Sequence, residues 1–154
     1  MCLQMRVFII FLSCVSTTIA CSCFPQSAND VFCRADWVSR VKISFFYNPH
    51  NDETGMYDVI YTVHHICIYK KPANVRKLSS FVFTPSSDGL CGLRMEVGRE
   101  YLLSANYRIS GTRRSDGKLH VYLCGQVTDE DYGGVSEWAN VSPTLRGNLT
   151  TFLC

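Results

Sequence analysis

Three groups of residues carry chemistry by type and spacing. Cys21-Ser22-Cys23-Phe24-Pro25 sets two thiols two positions apart, His64, His65 and Cys67 offer two imidazoles and a thiol, and Asp129-Glu130-Asp131 lines up three carboxylates. Thiols and imidazoles are metal ligands, thiols in an oxidising compartment are disulfide halves, and paired carboxylates serve as acid and base. The second group fails as a metal site if it lies on a strand. Residues three apart then face opposite ways, so only His65 and Cys67 share a face, and two ligands do not make a structural zinc site. The acidic run announces no cleft and reads as a solvated loop. The sequence holds no HExxH pair, nucleophile elbow or phosphate-cradling glycine loop, so an enzyme is not the expected class.

What surrounds Cys21 decides the chemistry of the first group. Residues 1–20 read as a secretory signal: Arg6 supplies the positive charge, Val7 to Val15 is an apolar run too short to span a bilayer, and Thr18-Ile19-Ala20 ends in a small residue at the cleavage position. A cysteine directly after a signal also marks bacterial lipoproteins, but Thr18 stands where that motif has Leu. Cleavage after Ala20 would make Cys21 the first residue and would leave seven of the nine cysteines, with Cys2 and Cys14 removed. Asn140-Val141-Ser142 and Asn148-Leu149-Thr150 have the form of N-glycosylation acceptors, which suits a eukaryotic secretory route.

The elements that must position these residues read as one all-β domain over residues 21–154. The chain has 154 residues, 47% of them apolar and 18% charged, which points to a compact core rather than disorder. With 15 Lys+Arg against 13 Asp+Glu and no basic run longer than two, it lacks the dense basic face that nucleic acid requires. Trp37 to Phe45 alternates, with Trp37, Val41, Ile43 and Phe45 on one face and Arg40, Lys42 and Ser44 on the other. Asn48 to Gly55 is turn chemistry, and Tyr57 to Tyr69 is apolar on both faces, a long strand near the core. Leu78 to Thr84, Glu100 to Ile109 and Leu119 to Cys124 complete five strands, the last two joined through a hairpin at Asp116-Gly117. Five strands broken by turns suggest a small, partly or fully closed barrel. Short helices are expected within Gln26 to Arg34, bringing Cys33 beside the barrel, and within Ser142 to Leu153, where Gly147 weakens the helix by about 1 kcal/mol relative to Ala.

Seven cysteines with one left over allow on the order of a hundred pairings, so spacing assigns none of them. The ordered motifs narrow the field. Cys21-Ser22-Cys23-Phe24-Pro25 followed by Cys33-Arg34-Ala35-Asp36-Trp37-Val38-Ser39-Arg40-Val41-Lys42 closely resembles the opening of the tissue inhibitors of metalloproteinases. Phe81 to Pro85, Leu90-Cys91-Gly92, Glu100 to Leu103 and Asp116 to Cys124 resemble that family's later strands in the same order. The likeness is to the N-terminal inhibitory domain only, and beyond Cys124 it rests on Cys154 alone. It implies a netrin-like module with an oligosaccharide/oligonucleotide-binding (OB) type barrel, stapled by disulfides Cys21–Cys91, Cys23–Cys124 and Cys33–Cys154. Cys67 is then the odd thiol, expected to be buried and inert, with an intermolecular disulfide as the alternative.

The resemblance also implies a secreted, monomeric inhibitor forming one-to-one complexes with zinc metalloproteinases, whether matrix, membrane-tethered or disintegrin-type. No cofactor of its own and no membrane insertion are expected. Cys21 would coordinate the target's zinc through its free amine and carbonyl oxygen, and Ser22 would enter the S1′ pocket. Cys23, Phe24 and Pro25 would follow along the cleft beside Asp88, Gly89, Leu90, Cys91 and Gly92, with Tyr122 and Leu123 at the rim. Gly89 stands where the family more often has Ser. A module that shares the barrel and disulfides but binds matrix or a receptor is the competing reading.

Overall fold

A computed structural model describes residues 21–105, 118–129 and 134–154. The expected signal segment, the expected hairpin tip at Asp116-Gly117, and Glu130 and Asp131 lie outside the described residues. The elements run α1 (Ala28–Arg34), β1 (Trp37–Tyr47), β2 (Asp58–Lys70), β3 (Phe81–Pro85), β4 (Glu100–Ala105), β5 (Leu119–His120), β6 (Ser136–Glu137) and α2 (Pro143–Asn148). Single 3-10 turns sit at Asp88–Leu90, Leu123–Gly125 and Trp138–Asn140.

The strands form one mixed sheet in the order β5-β3-β2-β1-β4-β6. Every neighbouring pair is antiparallel except β3 with β5. The expected all-β architecture with short flanking helices is found as a mostly-β one, with six strands among the described residues rather than five, because Ser136–Glu137 adds to the β4 edge. Strands β5 and β6 end the order, and no pairing closes them into a barrel among the described residues. The segment Leu119 to Cys124 is a strand only at its start. Its described strand residues pair in parallel with Val82 and Phe83, and Leu123–Gly125 turns away to carry Cys124.

The sheet is apolar on both faces. Trp37, Val41, Ile43, Val59, Tyr61, Val63, Val82, Leu103, Leu119 and Val121 fill one side, while Val38 and Leu102 lie on the other under Val31 and Phe32 of α1 and Leu145 of α2. Val38 and Leu102 are fully buried. Each contributes about 1.5–3 kcal/mol relative to exposure, which is what ties the helices down. The expected alternation of β1 fails after Ile43. Ile43 faces Val63 and Phe45 faces Thr62, so Ser44 is an inserted residue and the phase flips; Phe45 is 60% exposed instead of inward. Strand β2 lines the core around Trp37 only as far as Val63, its pairing with β3 ending at Thr62, while Tyr69 packs against the helix-covered side. Cys67 lies beyond the β3 pairing and is exposed, which corrects its expected burial.

Both helices have local reasons to start. Ser27 accepts from the Asp30 amide at 3.1 Å, and Ser142 accepts from the Leu145 amide at 3.0 Å ahead of Pro143. The ammonium of Lys70 donates to the Phe32 and Cys33 carbonyls at 2.9 and 2.8 Å, closing the C-terminal end of α1. Helix α2 stops at Asn148, short of the expected Leu153. There the Thr150 and Thr151 hydroxyls donate to the Gly147 and Asn148 carbonyls and compete with further helical bonds.

Candidate functional site

Disulfides assemble the site from three stretches of chain distant in sequence. Cys21 is bonded to Cys91 and Cys23 to Cys124, each pair with Cα atoms 5.2 Å apart and separated by 70 and 101 positions. Cys33 is bonded to Cys154 across 121 positions, fixing α1 to the end of the chain. In the chain-entropy account, loops of these lengths each stabilise the fold by roughly 4 to 5 kcal/mol before strain is subtracted. The first two bonds lie side by side, with the Cys21 and Cys124 sulfurs 3.7 Å apart. Cys21, Cys91 and Cys124 have the mutual spacing of a metal site, but all three sulfurs are spent in disulfides and offer no thiolate.

Ser22, Phe24 and Pro25 project from this double anchor into solvent, with Phe24 85% exposed. Beside them runs the loop that leaves β3. Ser87 starts its 3-10 turn by accepting from the Gly89 amide at 3.2 Å, and the Ser87 carbonyl accepts from Leu90 and Gly92. The turn ends at Cys91 in the left-handed region, φ 61°, a conformation that costs a non-glycine residue about 1–2 kcal/mol. That conformation is held by the disulfide, by the Cys91 amide on Asp88 and by the Leu123 amide on the Cys91 carbonyl at 2.9 Å. Leu90 is 54% exposed and Asp88 forms an exposed ion pair with Arg94 at 2.8 Å. So open a pair adds little stability. Gly92 is buried, with the Pro85 carbonyl filling the space a side chain would take, so it supports the loop from below.

The turn that carries Cys124 is fixed from inside. Gln126, 1% exposed, accepts from the Ser104 amide at 3.0 Å and donates to the Ser104 and Tyr122 carbonyls at 2.8 Å. Both protons and the oxygen of its buried amide are bonded, which locks Tyr122 to Gly125 onto β4. Tyr122 and Leu123 are themselves half-buried.

The remaining sequence candidates have structural occupations. The His65 Nε2 proton goes to the Ser79 carbonyl at 3.0 Å, which leaves Nδ1 to accept from the Ser39 hydroxyl at 2.9 Å. Burial, which disfavours the charged imidazolium, pushes its pKa down. His64 is exposed. Asp129 holds the N-cap Ser142 of α2, accepting from its amide and hydroxyl at 2.9 and 2.6 Å. Asn140 and Asn148 are both exposed, the first ending a 3-10 turn and the second ending α2. Sequence reasoning missed Gln126, Asp52 and Ser86. Asp52-Glu53-Thr54 carries the signal of a local Asx turn, but nothing in the sequence announces the long-range bond from Ser86.

No helix of the described residues is long and apolar enough to cross a membrane. The family model "Tissue inhibitor of metalloproteinase" matches residues 19–151. A Caenorhabditis elegans protein named "Putative metalloproteinase inhibitor tag-225" is 35% identical over 150 residues, covering 91% of each chain. Metalloproteinase inhibitor 2 of Homo sapiens is 33% identical over 136 residues, and that of Gallus gallus 32% over the same length. The chain spans about half the length of these two, 54% of each, against 84% of itself. Since the family match takes in nearly the whole sequence, with the disulfide-built edge inside it, the chain belongs to the tissue inhibitors of metalloproteinases.

Proposed function

We propose that the exported chain begins at Cys21 and inhibits zinc metalloendopeptidases by presenting that residue to the enzyme's metal. The family is one of inhibitors rather than enzymes. The observation that carries the reading is the double anchor: two adjacent disulfides fix Cys21 and Cys23, while Ser22, Phe24 and Pro25 between and beyond them stay exposed. A catalytic zinc keeps one position open for water beside three protein ligands. The deprotonated α-amine of Cys21 offers a lone pair, and the carbonyl oxygen of the same residue lies where the two close a five-membered chelate. No side chain is needed for that step.

Ser22 then points into the S1′ pocket with its hydroxyl toward the catalytic carboxylate, and Cys23, Phe24 and Pro25 lie along the cleft, Pro25 with φ fixed by its ring. Asp88 to Cys91 flank them. The same reading takes the sheet as the wall of a netrin-like, OB-type barrel, for which the apolar layer around Trp37 and Val82 is the support. Targets are secreted or membrane-tethered metalloproteinases, met in the extracellular space as one-to-one complexes.

The test is an alanine added before Cys21, or carbamylation of its amine. Inhibition of a metalloproteinase catalytic domain is expected to be abolished while the disulfide map and melting temperature stay unchanged. Undiminished inhibition by a blocked, correctly folded sample would refute the chelate.

A further inference from the structure

The proposed edge stands on a support that neither the disulfides nor the sheet supplies. The β1–β2 turn and the loop leaving β3 emerge from one end of the β2–β3 ladder, where Asp58 faces Pro85. Beyond that pair they are parted by a cleft of about 290 Å³, lined in part by Phe46, Tyr61, Leu93 and Arg94. Asp52 spans the gap. One of its carboxylate oxygens accepts from the Thr54 amide at 2.9 Å and the Thr54 hydroxyl at 2.6 Å. The other accepts from the Tyr57 amide at 3.0 Å and, across the cleft, from the Ser86 hydroxyl at 2.8 Å.

Ser86 Oγ in turn accepts from the Gly55 amide at 2.9 Å, so it is gripped by the turn through both its proton and its lone pair. Gly55 sits at φ +90° and so close to the loop that a Cβ there would come within 2.7 Å of Leu90 and 2.8 Å of the Ser87 side chain. These donors, the Thr54 hydroxyl foremost, hold the Asp52 carboxyl far below the usual carboxylate range. The clamp touches Ser86, Ser87 and Leu90, and one residue later the chain is Cys91, to which Cys21 is bonded.

We propose that Asp52, acting through Ser86, sets the position of the Ser87–Cys91 loop and thereby of the Cys21 terminus, which makes it a positioning residue for metalloproteinase inhibition. This rests on the chelate reading above. A loop left free at the cleft has to be ordered by the enzyme on binding, at a cost on the scale of a factor of ten in affinity.

Ser86→Ala cuts the bridge and leaves the turn bonds of Asp52 intact, whereas Thr54→Ala removes a turn bond and leaves the bridge. Ser86→Ala and Asp52→Ala are each expected to raise the inhibition constant against a metalloproteinase catalytic domain about tenfold, mainly through faster dissociation. The double variant is expected to be no worse than the weaker single one, Thr54→Ala to stay within about twofold, and Ser86→Thr to restore affinity. Amide hydrogen exchange at Gly89, Leu90 and Cys91 is expected to quicken in Ser86→Ala while exchange in β1 stays at the wild-type rate. Asp52→Asn replaces Ser86→Ala should the latter not fold. Unchanged affinity in Ser86→Ala, or a loss in Thr54→Ala as large as in Ser86→Ala, overturns the proposal. Failure of the chelate reading shows separately, as full inhibition by amine-blocked wild type, and the exchange rates then still decide whether Asp52 holds the loop.

Discussion

Alanine at position 92 sets a methyl group onto the Pro85 carbonyl oxygen and 2.9 Å from both the Pro85 carbonyl carbon and the Ser87 carbonyl oxygen. None of these atoms belongs to a flexible side chain. Pro85 is held in the β2–β3 ladder, and the Ser87 carbonyl already accepts the Gly92 amide at 3.0 Å. Relief therefore comes only from lifting the loop off the end of β3. Overpacking of this kind costs about 1–3 kcal/mol, which at this chain length lowers the melting midpoint by about 3–10 °C. The displaced loop carries Cys91 and with it Cys21, so affinity for a metalloproteinase should fall with stability. Gly147→Ala is the control: nothing lies within 4 Å of its Cβ position, and it sits in α2, so helix propensity raises stability by up to about 1 kcal/mol. Calorimetry on both variants reads the two signs. A Gly92→Ala midpoint equal to wild type, or a fall in Gly147→Ala of the same size, would refute the close-packing reasoning.

Two further outcomes are expected. Burial holds the His65 pKa below its usual 6.5, so the unfolded chain binds a proton that the folded chain refuses. Stability is then full above about pH 6.5 and declines as pH falls from there toward the folded value. Melting curves between about pH 7.5 and pH 5 should show this decline, with a shallower slope in His65→Gln; identical slopes count against it. Cys67 is exposed and unpaired, so with residues 1–20 removed one thiol per chain should react with an aromatic disulfide reagent without denaturant. A sample that reacts only after unfolding contradicts that exposure.

What was legible in the sequence is what local pattern and ordered cysteine motifs encode. Trp37 to Ile43 reads correctly because its side chains alternate along a ladder with β4 that is continuous from Trp37 to Lys42. The reading fails at Phe45 because a bulge leaves no trace in hydrophobic periodicity. Cys67 is misread for a related reason: Ile66 and Ile68 look like core on composition, yet their exposure depends on how far β3 extends along β2, a property of tertiary pairing. Asp129, the described residue of the acidic run, has a structural task, bonding the N-cap Ser142 across 13 positions. Gln126 and Asp52 were invisible as supports because a buried or bridging polar side chain declares itself only through partners distant in sequence.

The arrangement of fixed points bears on how much order an enzyme must impose. Cys21 and Cys23 are covalently held, and Ser27 is held as the cap of α1, whose Val31 and Phe32 pack in the helix-covered core that Cys33–Cys154 closes. Only Ser22, and the short run Phe24, Pro25 and Gln26, lie between these points, and proline has little backbone freedom to lose. At about 1–2 kcal/mol per residue ordered, an unanchored segment of the same length would surrender a large part of its binding free energy to conformational entropy. Here most of that cost falls on folding, where the core and cross-links offset it. The exposure of Phe24 and Leu90 follows from the same division: residues held by neighbours on either side need no burial of their own to keep their place.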